Sequence, residues 1–381
     1  MSNLSLIAPC HFGLEAVLKK EIYDLGYEIE AVSDGRVTFA ADEEGLARSN
    51  IGLRSAERIL IKVGAFKATT FDELFEGIRA LPWEDYIPAD GKFWVKKASS
   101  VKSKLFSPSD IQSIVKKAIV ERLKSRYKVE WFEETGCEYP LRVSIMKDEV
   151  TVALDTSGES LHKRGYRQYR SDAPISETLA AALLLLTPWK GDRILVDPFC
   201  GCGTFPIEAA MMAANIAPGV NRDFTACTWE NLIDKRIWKD AYEEAKDLEN
   251  TDVETDIQGY DIDGEIVKAA RRNADLAGVG KLIHFQQRDV ADLHHPKKYG
   301  FIITNPPYGE RLSERSELPA LYKTFGEAAF ALSDWSVYVI TGYEDAPKYM
   351  GRKAAKNRKI YNGMLKTYFY QFPGERPPKR N

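Results

Sequence analysis

Arg193-Ile194-Leu195-Val196-Asp197-Pro198-Phe199-Cys200-Gly201-Cys202-Gly203-Thr204 is the stretch that decides the fold. A short aliphatic run ends on an aspartate, passes two glycines and enters the largely apolar segment 205–214. This pattern predicts a buried strand that turns sharply into a helix, and open parallel sheets hold their ligands at that edge. Outward from it the same alternation repeats. The spacing predicts helix 175–186 before the turn and helix 204–214 after it, then strand 257–261, helix 265–277, strand 282–288, strand 301–304, helix 318–333 and strand 337–341. Strands and helices in that order describe a doubly wound parallel sheet. The chain then closes with two alternating runs around Asn362-Gly363, a dipeptide that supplies the positive φ angles of a tight hairpin.

The first half of the 381 residues has a different texture. Residues 1–65 read as a small α+β unit with strand 4–9, helix 14–25 and strands 36–40 and 59–65. Residues 66–160 repeat the mixture with helix 71–80, strand 93–98, helix 109–127 and strands 141–147 and 149–155. A basic, polar segment, 161–174, separates these from a third domain, 175–381. Within that domain, 215–256 reads as a charged helical insert carrying Trp229 and Trp238.

Composition narrows the class. With 44% apolar and 29% charged residues the chain can build two or three cores. Its longest apolar stretch, 178–189, is too short to span a bilayer, and the first residues lack the pattern of a secretion signal, so a cytoplasmic location is expected. Five cysteines at 10, 137, 200, 202 and 227 show no repeated pair spacing, which predicts reduced thiols and no metal site. The net charge of −3 hides local asymmetry. Between Lys92 and Lys128 eleven Lys or Arg face only Asp110 and Glu121, and His162, Lys163, Arg164, Arg167 and Arg170 are interleaved with Tyr166 and Tyr169. Lysines on a helix are often only a solvated face. Arginines among aromatics make Lys163, Arg164, Tyr166, Arg167 and Arg170 the better candidates for RNA contact.

Two elements carry chemistry. Gly201 and Gly203 allow a ligand close to the backbone, and Thr204 opens a helix whose free N–H groups favour a carboxylate. Asp197 at the first strand end suits an ammonium group. Asp261 at the next suits ribose hydroxyls, and Asp289 after the third suits an adenine amine; Ile262 and Val290, which follow them, are counted with the same site. This order predicts S-adenosyl-L-methionine as cofactor. The second element is Asn305-Pro306-Pro307-Tyr308, after the apolar run 301–304. The Asn305 side chain and the Pro306 carbonyl can both accept from one exocyclic amine, Pro307 stiffens the loop, and Tyr308 offers a face on which an extruded base stacks. Asn305 therefore borders both cofactor and target. A rigid turn after a buried strand would explain Pro-Pro alone, but not its pairing with the glycine turn.

At these residues the chain resembles the THUMP-domain RNA methyltransferases, above all the guanine-N2 module of the bacterial large-subunit ribosomal RNA enzyme. The resemblance is carried by residues 161–167, 173–183, 197–210, 259–263, 304–311 and 361–363. It departs from the family at Cys202, where serine is usual. It implies an α/β fold: a Rossmann-like class I methyltransferase sheet with an antiparallel terminal hairpin, preceded by an α+β ferredoxin-like domain and a THUMP module that delivers RNA. It also implies the N2 amine of a guanine in 23S ribosomal RNA as target. Transfer RNA is an alternative, and so is a non-catalytic RNA-binding assembly factor that retains the cofactor fold. Adenine N6 or cytosine N4 in DNA would suit Asn-Pro-Pro-Tyr equally, but the chain shows no major-groove reader. A nicotinamide oxidoreductase would lack both a hydride-site acid and the hairpin ending.

Overall fold

The computed structural model describes residues 4–169, 175–309, 315–363 and 365–378. The chain divides into two units that do not follow chain order: residues 1–9, 21–161 and 223–244 form the first, and 10–20, 162–222 and 245–381 the second. Among the described residues no helix is long and apolar enough to cross a membrane.

The first unit is built on one seven-stranded sheet. Its strands are β1 (Leu4–Pro9), β2 (Glu28–Ser33), β3 (Arg36–Ala41), β4 (Leu60–Lys67), β5 (Lys92–Val101), β6 (Glu138–Met146) and β7 (Glu149–Asp155), in the order β2-β3-β1-β4-β7-β6-β5. The boundary expected at 65/66 falls inside β4, which pairs antiparallel with β1 on one side and β7 on the other. One continuous sheet therefore carries both N-terminal modules. Helices α1 (Glu15–Asp24), α2 (Glu43–Gly52), α3 (Phe71–Ala80) and α4 (Pro108–Tyr127) follow the strands.

Two elements here escape the sequence reading. β2 is a mostly exposed edge strand of polar sequence, Glu-Ile-Glu-Ala-Val-Ser. α2 contains two glycines, a serine and an asparagine; it forms because Asp42 caps it, accepting from Gly45 N at 2.9 Å, and because most of it is buried.

The expected insert 215–256 is also divided differently. Its central part, 223–244, belongs to the first unit. Trp229 stacks on Tyr139 with ring centroids 4.9 Å apart and donates its indole N–H to Glu138 O, while Tyr139 donates to Asn231 Oδ1 at 2.7 Å. The large aromatics of the segment are used as anchors, which the charged face of its helix α7 (Lys235–Asp247) conceals in the sequence.

The second unit has the alternating α/β order and the antiparallel ending expected from the sequence. Its strands are β8 (Leu195–Asp197), β9 (Ile257–Asp261), β10 (Ile283–Gln287), β11 (Phe301–Thr304), β12 (Ser336–Thr341), β13 (Lys356–Asn362) and β14 (Leu365–Phe372), ordered β10-β9-β8-β11-β12-β14-β13. From β10 to β12 the pairs are parallel; β14 runs antiparallel to β12 and β13. Every residue of β8, β11 and β12 is buried, as continuous apolar runs in a covered parallel sheet should be. Helices α5 (Glu177–Leu185), α6 (Thr204–Ala213), α8 (Gly264–Leu276), α9 (Leu318–Ala331) and α10 (Ala346–Tyr349) belong with it. α5 and α6 are apolar nearly all round and almost wholly buried. Leu14 and Val17 of the 10–20 segment enter the same core beside Leu179 and Leu183.

The chain winds from β8 outward to β10, then returns to add β11 and β12 on the other side of β8. The strand order thus reverses between β8 and β11, where sheets of this kind form a ligand crevice.

Candidate active site

Both chemical loops leave the sheet at that reversal. Thr304, the last residue of β11, donates its hydroxyl to Asp197 Oδ1 at 2.6 Å, and Asp197 is the last residue of β8. The clasp fixes the start of 198–204 next to the start of 305–308.

The glycine turn is dictated by conformation and space together. Gly201 and Gly203 have φ of +51° and +90°, and a Cβ on Gly203 would stand 3.1 Å from both Ala270 Cβ and Phe285 Cζ. Cys200 N donates to Tyr260 O and Gly203 N to Cys200 O, each at 2.8 Å, so the turn is tied to the neighbouring strand before α6 begins at Thr204. Cys200 and Cys202 are buried small side chains of this turn, and burial pushes the Cys200 thiol well above its usual range.

The carboxylates line the same edge. Asp261 Oδ2 accepts from Gly201 N and its Oδ1 from Asp263 N, both at 3.0 Å, and burial raises its pKa. Each oxygen keeps a lone pair for a further donor. Ile262, next to it, is 67% exposed, an apolar surface at the rim. Asp289 is exposed and accepts from Ala291 N at 2.9 Å, while Val290 is buried.

Asp197 is the unusual group. It is 2% exposed, accepts only from Thr304 Oγ1 and Phe199 N among the described residues, and none of their ion pairs includes it. Burial pushes its pKa up to about 7. A buried carboxylate with no cation beside it suits a ligand that brings an ammonium group. The glycine cradle, the two carboxylates and the N-terminus of α6 together fit an amino-acid nucleoside such as S-adenosylmethionine.

In the second loop, Asn305 and Tyr308 are half-buried, Pro306 is buried and Pro307 exposed. Pro306 and Pro307 have no N–H, so this loop must be held by its carbonyls. Tyr322 on α9 does that, donating to Pro307 O at 3.1 Å.

Comparison with known proteins matches a family model described as the RMKL-like methyltransferase domain to residues 164–371. Models of the RlmL ferredoxin-like domain and the THUMP domain match residues 5–60 and 68–155. The chain belongs to the RMKL-like methyltransferase family.

It is 48% identical over its full length to the "Putative RNA methyltransferase YpsC" of Bacillus subtilis (strain 168), of which it covers 98%. It is 35% identical over 94% of its length to the "Ribosomal RNA large subunit methyltransferase K/L" of Syntrophotalea carbinolica, and spans only 52% of that protein. The solved structure of SMU.472, described as "a putative methyltransferase complexed with SAH", matches 99% of this chain and 100% of its own at 44% identity with a TM-score of 0.93. The chain is an S-adenosylmethionine-dependent RNA methyltransferase with a THUMP RNA-binding module.

In this family member Arg164, Tyr166 and Arg167 of the basic cluster do not face solvent as expected of RNA contacts. Arg164 and Tyr166 are each 3% exposed; Tyr166 donates to Glu208 Oε1 at 3.0 Å, and Arg164 Nε lies 3.5 Å from the same oxygen. Arg167 donates to Ile175 O at 2.6 Å and to Thr204 Oγ1 at 3.0 Å, with Glu177 at 3.1 Å. These side chains bind the linker to α5 and α6 from within. Lys163 is exposed, and Arg170 lies outside the described residues.

The sequence reading misses Tyr322. Its hydroxyl also meets Thr341 Oγ1 at 2.5 Å, and Thr341 in turn accepts from Tyr343 N at 3.0 Å. Each hydroxyl has one proton, so the chain has one direction: Tyr343 N–H to Thr341, Thr341 O–H to Tyr322, Tyr322 O–H to Pro307 O. No local motif signals a bond from α9 to a loop and a strand. Tyr322→Phe keeps the buried ring and should lower kcat roughly tenfold through a misplaced loop, with KM for S-adenosylmethionine unchanged. Wild-type kcat in steady-state assays would remove this role.

Asp261→Ala should weaken S-adenosylmethionine binding by roughly tenfold or more, the scale of a hydrogen bond to a charged group. Asp261→Asn, which keeps an acceptor for Gly201, should lose less. Calorimetry showing undiminished affinity for both would refute the ribose assignment.

Proposed function

We propose that this chain methylates the N2 amine of a guanine in 23S ribosomal RNA. The observation that carries the reading is the Thr304–Asp197 clasp, which joins the strand ends from which the glycine turn and Asn305-Pro306 depart. When bound, S-adenosylmethionine supplies an electrophilic methyl group. The protein's work is to aim a nucleophile at it. Asn305 Oδ1 and Pro306 O can each accept one hydrogen of an exocyclic amine, which turns its lone pair out of conjugation with the base and towards the cofactor side. Tyr308 stacks the unpaired base, and no covalent enzyme intermediate is required. We further assign Asp197 to the ammonium, Asp261 to the ribose, and Gly201, Gly203, Thr204, Ile262, Asp289 and Val290 to the remaining cofactor contacts.

The loop chemistry serves any exocyclic amine. The choice of guanine in 23S RNA rests on the resemblance to the large-subunit K/L enzymes, about half of whose length the chain spans. Nucleoside mass spectrometry on separated 23S, 16S and transfer RNA, from cells with and without the protein, decides it. Loss of N2-methylguanosine from the 23S fraction alone is the expected result; loss from transfer RNA, or loss of a methylated adenine, would overturn it.

A further inference from the structure

Between residues 352 and 366 the chain carries six lysines and arginines and no acidic residue, in a protein of net charge −3. This stretch contains β13, the last strand of its sheet, and leads into β14. The loop 10–13, part of the same unit, is sewn to β13: Arg358 donates to Gly13 O at 2.6 Å, and His11 Nδ1 lies 3.1 Å from Tyr361 O. Between those two attachments the loop presents Phe12, 51% exposed. Tyr361 and Leu365 are also exposed, and Lys359 Nζ stands 5.2 Å from the Tyr361 ring. A Cβ on Gly342 would lie 3.3 Å from both Leu365 Cδ2 and Tyr308 Cδ2, so the exposed apolar row leads to the residue assigned to stack the target base.

We propose that Phe12, Tyr361 and Leu365, flanked by Lys356 and Lys359, form a platform for the unpaired RNA strand adjoining the target nucleotide. Edge-strand lysines commonly serve only to prevent sheet-to-sheet pairing. That role does not call for exposed rings, which would favour association. Rings that stack bases, set among cations that neutralise phosphates, are what a single strand needs from a protein surface. Lys366 is paired with Glu344 and Arg358 is bonded to Gly13 O, which leaves Lys356 and Lys359 as the exposed cations beside the rings. The partner is RNA, since positive charge beside stacking faces complements a polyanion with flat bases. The proposal rests on the RNA-methyltransferase reading and extends it to a strand-binding face of the catalytic unit.

The test uses the full chain and a fluorescein-labelled oligouridylate of about a dozen nucleotides, within the usual site sizes of single-strand binders. Phe12→Ala and Tyr361→Ala should each weaken binding by roughly fivefold or more by anisotropy, with S-adenosylmethionine affinity unchanged. Lys356→Glu with Lys359→Glu, on exposed positions that do not endanger folding, should weaken it and flatten its salt dependence. Oligouridylate carrying 4-thiouridine should crosslink to peptides containing Phe12 or Tyr361. Wild-type affinity in all these variants, or crosslinks confined to residues 21–161, would overturn the platform. Methylation of ribosomal RNA by the same preparations would leave the enzymatic reading standing, so the two failures are distinguishable.

Discussion

Asn305→Ala should lower methyl-transfer turnover by roughly a hundredfold or more, the usual effect of removing one preorganised polar group aimed at the reacting centre. Affinity for S-adenosylmethionine should stay within about twofold, because the cradle is made by Gly201, Gly203 and the strand-end carboxylates, none of which needs the Asn305 side chain. The half-buried position matters: Asn305 follows Thr304, whose hydroxyl is committed to Asp197, so the asparagine is the first residue to leave the sheet beside the glycine-turn strand. Truncation leaves Pro306 O as a lone acceptor, which can hold an amine but cannot fix its rotation. Single-turnover assays with saturating cofactor and RNA separate this loss from binding. Turnover within a factor of a few of wild type would remove Asn305 from the chemistry.

The second unit is legible in the sequence because its signals are local. Continuous apolar runs report strands buried on both faces, glycines report the turn after β8, and Asn362-Gly363 reports the hairpin, where Gly363 has φ +61°. Each follows from neighbours in the chain. What stays hidden depends on distant partners. Trp229 and Trp238 sit in a charged segment whose placement in the first unit is decided by Tyr139 and Glu138, far away along the chain. The Tyr322 to Pro307 bond requires α9 and the loop after β11 to be folded first. The basic cluster misleads for a related reason. Arginines beside tyrosines look alike whether they face solvent or a buried carboxylate, and Glu208, the residue that separates the cases, is one acidic position inside an apolar helix.

Glu208 accordingly carries the largest expected effect on stability. It is fully buried on α6, accepts the Tyr166 hydroxyl and faces Arg164 at 3.5 Å. Glu208→Ala removes the negative member of a buried pair, a change that typically costs about 3–5 kcal/mol because the surviving charge stays in a poorly solvating interior. Against a typical stability of about 5–15 kcal/mol, the second unit should unfold at markedly lower urea concentration, and its cofactor site should fail with it, since α6 carries the glycine turn. Glu208→Gln, which keeps an acceptor for Tyr166, should lose less, and Tyr166→Phe only about 1 kcal/mol. Replacing the pair together, Arg164→Met with Glu208→Leu, should recover much of the loss, since an apolar pair of similar volume removes the need to solvate either charge. The same experiment separates the two readings of the cluster. If Arg164 contacted RNA from the surface, Arg164→Ala would weaken RNA binding in a protein of unchanged stability; a buried Arg164 predicts a destabilised protein, with RNA affinity following only the folded fraction. Urea melts of Glu208→Ala superimposable on wild type would show that the cluster does not hold the linker to the catalytic helix.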